Sequence, residues 1–288
     1  MTYSEILVTG TLTTAGNNAA RRAALLARQH GWALRVLHVE RDAKLLPAAQ
    51  AGVEQLCGQL RDRLGISATA EVAAGDLLKH LVQRTRESNL VVMGSSRDDP
   101  LTGKIGGVPV DRLIRLCRTP TLIVKRTVDA AFAQGAAEAR GDGRYSRVLA
   151  CVDLEPLAPA TIAAAQGIAP GAQLEAFHAV ASGAPRVRPP AGAHGENPNA
   201  LGHARSALKD VLAAAGADAT TAASVGFGDP ADAVLGRQRA LGADLVVIGK
   251  RQRGLLADFF LGHVTRQVLA GSAADVLVLP APRTPTGR

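Results

Sequence analysis

The chain has 288 residues, a length that suits two domains of roughly 140 residues better than one. Hydrophobic residues make up 47% and charged residues 20%, with a mean hydropathy of +0.09, a balance that excludes a largely disordered chain. The net charge of +8 would suit an acidic partner only if the cations clustered, and aromatic residues, at 3%, are too few to form stacking platforms for single-stranded nucleic acid.

Short apolar runs alternate with amphipathic stretches along the whole chain. Strands are predicted near 4–9, 33–39, 68–73, 89–94 and 120–125, and helices near 16–30, 47–64, 76–87 and 106–117. Residues 129–144 are rich in Ala, Gly and charge with no apolar period, and read as a linker. Beyond them strands are predicted near 147–152, 172–180, 219–225, 243–249 and 274–279, with helices near 157–168, 199–215, 230–241 and 260–271. The run 185–198, which holds Pro189, Pro190, Gly192 and Gly195, reads as an inserted loop. Runs such as Leu90-Val91-Val92-Met93 lack alternation, so their strands are expected to be covered on both faces of a parallel sheet.

The two halves repeat one another. Leu90-Val91-Val92-Met93-Gly94 recurs as Leu245-Val246-Val247-Ile248-Gly249, an offset that also carries Gly107 onto Gly262 and Thr121-Leu122-Ile123-Val124 onto Val276-Leu277-Val278-Leu279. Ile6-Leu7-Val8 matches Val148-Leu149-Ala150, Leu34 to His38 matches Leu174 to His178, and Gly75-Asp76 matches Gly228-Asp229. The chain is therefore read as two copies of one domain, residues 1–128 and 145–288, joined by the linker 129–144.

Cys57, Cys117 and Cys151 are odd in number and far apart, so neither a disulfide framework nor a zinc site is indicated, and Cys151 is expected to be inert strand core. The N-terminus is polar, and no apolar run approaches the ~18 residues that span a bilayer; a cytoplasmic protein is expected, with no membrane or nucleic-acid partner. The Arg21-Arg22 and Arg61-Arg63 groups read as solvated helix faces. His38 and His178 read as strand-end packing rather than metal ligands. Neither a GxxxxGK[ST] phosphate loop nor a GxSxG elbow occurs, and no nucleophile is paired with a base, so substantial catalysis is not expected.

In a doubly wound sheet, ligands sit beyond the carboxyl ends of the strands where the strand order reverses, so the loops after each copy's first and fourth strands are the places to inspect. In the second copy the first strand ends at Asp153, placed to accept from a ribose hydroxyl or an adenine amine, or to cap a helix. The fourth strand ends at Gly249, followed by Lys250, Arg251 and Arg253, and then by Gly262 and His263 at a helix start. A strand-ending glycine, a basic loop and a glycine beside a helix N-terminus are suited to cradling phosphates.

Val148-Leu149 to Asp153, Gly228-Asp229-Pro230, Asp244 to Gly249, and Leu261-Gly262 through Asp275 to Val278 resemble a universal stress protein domain in order and spacing. The first copy resembles it through Ile6-Leu7-Val8, Leu37-His38-Val39, Gly75-Asp76 and Leu90 to Gly94. The resemblance implies an α/β fold of two tandem, doubly wound, five-stranded parallel-sheet domains, Rossmann-like and similar to adenine nucleotide alpha hydrolases. It further implies an intrachain pseudo-dimer in which Pro120 to Val124 meets Val276 to Leu279, and a possible homodimer of whole chains.

ATP-binding members of that family carry a glycine, two residues, a second glycine, nine residues, a third glycine and a Ser or Thr. The second copy supplies the first and third at Gly249 and Gly262, with Asp153 at the family's first-strand aspartate. It departs at Gln252 for the second glycine and at His263 for the hydroxyl. The first copy has Thr11 for the aspartate, Arg97 for the second glycine and Val108 then Pro109 for the hydroxyl, with Asp98 and Asp99 beside them, and is expected to be nucleotide-free. Three readings follow: a stress-response binding protein taking ATP or a related adenine nucleotide in the second copy, a dimerising interaction module with both sites degenerate, or a slow nucleotide hydrolase.

Overall fold

A computed structural model describes residues 5–9, 12–95, 104–105, 108–128, 143–154, 158–181, 198–249 and 261–280. The chain divides into two compact units, one of residues 1–145 with 250–288 and the other of residues 146–249.

The first unit alternates strands β1 (Glu5–Thr9), β2 (Ala33–Glu40), β3 (Ala68–Ala74), β4 (Leu90–Gly94) and β7 (Thr121–Val124) with helices α1 (Thr14–His30), α2 (Leu46–Leu64), α3 (Leu77–Arg84) and α4 (Val110–Leu116). A small antiparallel ribbon, β5 (Lys104–Ile105) and β6 (Val108–Pro109), precedes α4. The strand order is β3-β2-β1-β4-β7, all parallel, so the order reverses between β1 and β4. Helix α8 (His263–Gly271) and strand β12 (Asp275–Leu279) complete this unit; β12 runs antiparallel to β7, with Leu277 opposite Leu122. The two terminal strands thus meet as the resemblance implied. All five residues of β4 are buried, which is why its sequence lacks alternation: both faces are covered.

The second unit contains β8 (Arg147–Cys151), α5 (Ala158–Ile168), β9 (Gln173–Ala181), α6 (Pro198–Ala214), β10 (Ala222–Gly228), α7 (Pro230–Leu241) and β11 (Leu245–Gly249). Its strands are parallel in the order β10-β9-β8-β11, with the reversal between β8 and β11. The fold is therefore mixed α/β with doubly wound, mostly parallel strands.

The Gly-Asp repeat has a local cause. Gly75 (φ 111°) and Gly228 (φ 122°) turn the chain at the end of β3 and β10 with a backbone that a side chain rarely adopts. The next residue caps a helix: Asp76 accepts from the Leu78 N–H at 2.8 Å, and Asp229 from the Ala231 and Asp232 N–H groups at 2.9 and 3.1 Å.

Four elements differ from expectation at their ends. Helix α4 begins at Val110 because Val108 and Pro109 are extended and paired with Lys104 and Ile105. Helix α3 stops at Arg84, where the Thr85 and Ser88 hydroxyls donate back to the Val82 and Arg84 carbonyls. Strand β10 runs three residues later than the predicted 219–225, since Asp218 forms a turn by accepting from the Thr220 N–H through its side chain and from the Thr221 N–H through its carbonyl. Helix α8 starts at His263 with Gly262 as its cap. The predicted linker, apart from Gly143 and Arg144, and the predicted loop 185–198, apart from Pro198, lie outside the described residues.

One expectation is overturned. Arg22 is not on a solvated face: it is 3% exposed, its guanidinium lies over the Tyr145 ring, and its Nε is 3.2 Å from the Asp275 carboxylate. A buried cation is stable only with such a partner. Cys57, Cys117 and Cys151 are buried free thiols, and burial pushes the Cys57 thiol up to about 11 and the Cys151 thiol higher still. Among the described residues no helix is long and apolar enough to cross a membrane.

Candidate functional site

In the second unit the chain leaves β8 and β11 side by side. The last paired residues are Cys151 opposite Ile248, so Asp153 and Gly249 both emerge at the carboxyl edge, where the strand order reverses. This is the crevice in which open α/β sheets hold their ligands. Gly249 is partly exposed, and a Cβ there would come within 3.7 Å of the Thr161 hydroxyl of α5.

The path of the chain into Asp153 is fixed by β9. The Val152 N–H donates to the Phe177 carbonyl at 2.9 Å, and the Val152 carbonyl lies 2.8 Å from His178 Nδ1. Because a carbonyl only accepts, Nδ1 carries the hydrogen. Leu154 then takes φ 60°, a left-handed conformation that costs a leucine roughly 1–3 kcal/mol and is concentrated at functional loops. Leu12 occupies the matching place in the first copy and has φ 66°. The turn after the first strand is thus strained in the same way in both copies.

Gly262 and His263 lie in the first unit. Gly262 caps α8 without a side-chain hydrogen bond, and His263 is the exposed first residue of that helix. The only backbone bond closing the first turn onto Gly262 is from the Arg266 N–H to its carbonyl, at 3.0 Å, among the described residues. Lys250, Arg251 and Arg253, with Gln252, lie outside the described residues. Of the expected site, the structure brings together Asp153 and Gly249.

In the first copy a cavity of about 430 Å³ opens beside the ends of β2 and β3 and the start of α4, lined by Arg41, Gly75, Asp76, Leu78, Val108, Pro109 and Arg112. Val108 and Pro109, at the expected hydroxyl position, present an apolar wall, and the Asp76 carboxylate is spent on capping α3. Thr11, Arg97, Asp98, Asp99 and Gly107 lie outside the described residues. His38 holds the matching register to His178, following Leu37 opposite Thr9 as His178 follows Phe177 opposite Cys151, but its Nε2 lies 3.6 Å from Glu40. Sequence offset exposed the two histidines as a pair; the contacts that each makes appear only in the folded chain. Among the described residues no group of three or more His, Cys, Asp or Glu is placed to hold a metal.

Residues 144–280 match the universal stress protein family. Among solved structures, a universal stress protein from Archaeoglobus fulgidus DSM 4304 aligns with a TM-score of 0.71 at 17% identity, covering 97% of this chain and 99% of that one. A functionally unknown protein from Pseudomonas aeruginosa PAO1 aligns with a TM-score of 0.65 at 23% identity, covering 96% of this chain and 92% of that one. At such identities these likenesses are of fold. No curated protein matches the chain. The match to the universal stress protein family thus rests on residues 144–280, just under half of the chain.

Proposed function

We propose that the chain is a cytoplasmic stress-response binding protein that takes ATP or a related adenine nucleotide in its second copy. The observation that carries this is the emergence of Asp153 and Gly249 from neighbouring parallel strands at the reversal of strand order. Asp153 accepts from the adenosine, and Gly249 lets phosphate approach the backbone. Lys250, Arg251, Arg253, Gly262 and His263, which follow in the sequence, supply the phosphate-side donors. On this reading the chain is two universal-stress-type domains, residues 1–128 and 145–288, with a linker at 129–144, and only the second retains its site.

The test is release of adenine nucleotide from the denatured protein, followed by chromatography, and a thermal shift with millimolar ATP. Nucleotide release or a shift is expected, and Asp153→Ala should abolish it while Thr11→Ala should not. No release and no shift would sink the reading and favour an interaction module with both sites degenerate, to which Gln252 and His263 point by placing side chains where the family has a glycine and a hydroxyl. Equal effects of the two substitutions would overturn the asymmetry between the copies.

A further inference from the structure

Val152 is held through both of its backbone polar groups by one neighbouring strand. Its N–H continues the ladder by donating to the Phe177 carbonyl, and its carbonyl accepts from a side chain, His178 Nδ1–H, at 2.8 Å. The next residue but one, Leu154, is left-handed. A strained turn persists only where its surroundings fix it. With β8 ending at Cys151, the bond from the Val152 N–H extends the ladder past the last paired residue, and the imidazole adds a bond to the Val152 carbonyl.

We infer that His178 is a positioning residue: as the Nδ1–H tautomer it holds the Val152 carbonyl and thereby sets where the Asp153 carboxylate stands. In the first copy the equivalent His38 has its Nε2 3.6 Å from Glu40 on its own strand, and the position equivalent to Asp153 is Thr11. The consequence for nucleotide binding rests on the functional reading above, while the positioning itself does not.

The experiment compares the wild-type chain with His178→Ala and His178→Asn, the latter because the asparagine amide N–H reaches about where Nδ1–H does. Nitrogen-detected NMR of the histidine ring at alkaline pH should show the Nδ1–H tautomer. Hydrogen exchange at the Val152, Asp153 and Leu154 amides should quicken by about tenfold in His178→Ala, the loss of one hydrogen bond's worth of protection, and return toward wild type in His178→Asn. ATP affinity should fall and recover in the same order. An Nε2–H tautomer, or exchange unchanged in His178→Ala, overturns the inference. If exchange responds as stated but neither His178→Ala nor Asp153→Ala alters ATP binding, His178 positions the turn and it is the nucleotide reading that fails.

Discussion

The Tyr145 phenol donates to the Asp275 carboxylate at 2.7 Å while the Arg22 guanidinium lies 4.6 Å from the centroid of the same ring. Asp275 is fully buried, and its other oxygen accepts from the Lys125 and Arg126 N–H groups, each at 2.8 Å. One carboxylate therefore ties together the end of β7, the start of β12, helix α1 and the residue that opens the second repeat. Tyr145→Phe should destabilise the protein by about 1.5–3 kcal/mol, as loss of a hydrogen bond to a charged group. Asp275→Ala should cost more, about 3–5 kcal/mol, because it strands the buried Arg22 cation. Urea denaturation measures both, and a Tyr145→Phe loss equal to that of Asp275→Ala would contradict this division.

Arg84 and Arg237 occupy equivalent places in the two copies, yet grip carboxylates on different strands. Arg84 Nε donates to Glu71 on β3 at 2.8 Å, whereas Arg237 holds Glu175 on β9 through Nε and Nη2, both at 2.6 Å. Glu175 is 3% exposed and also accepts from the Ser224 hydroxyl. Burial pushes the Glu175 carboxyl up, but the bonds from Arg237 and Ser224 outweigh it and hold the group below its ordinary value. A carboxyl lowered by folding stabilises the protein above its unfolded value, and that contribution is lost as pH falls through the folded value. Wild type should therefore lose stability below about pH 4.5 more steeply than Glu175→Gln. Parallel acid limbs in the two proteins, followed by circular dichroism, would show that this pair does not govern the acid transition.

The alternation of strands and helices was legible because parallel strands buried on both faces leave continuous apolar runs, and their ends fell within a few residues of the structure. Strand β10 was displaced because Asp218 organises a turn through its own backbone and side chain, a local device that hydrophobic pattern does not register. Arg22 was misread for a related reason. Its helix position looks polar in sequence, and only the fold brings Asp275, 253 residues away, against it. At the site, Asp153 and Gly249 could be found from their places at strand ends, but the grip of His178 depends on strand register, which a single sequence does not state.

Gly75→Ala and Gly228→Ala should each destabilise the protein by about 1–3 kcal/mol. A Cβ at either position meets nothing within 4 Å, so the cost arises from φ 111° and φ 122° alone. Gly236→Ala provides the opposite sign. It lies inside α7, a Cβ there also meets nothing within 4 Å, and the exchange should stabilise by about 0.5–1 kcal/mol. Differential scanning calorimetry of the three variants checks the signs, and a rise in Tm for Gly75→Ala or Gly228→Ala would refute the conformational argument.

Gly226 is constrained by space instead. It lies on β10, where an added Cβ would stand 2.7 Å from Phe177 Cζ and 3.1 Å from Cε2. Phe177 is 3% exposed, and its own carbonyl holds the Val152 N–H beside Asp153, so the ring cannot shift without straining the strand that supports the site. Gly226→Ala should cost about 1–3 kcal/mol as overpacking. Phe177→Leu, which removes the far end of the ring, should cost stability alone but recover part of the loss in the double variant, giving a coupling of opposite sign to the two single effects. Purely additive losses, measured by urea denaturation of the four proteins in the cycle, would mean that the ring is not what excludes a side chain at Gly226.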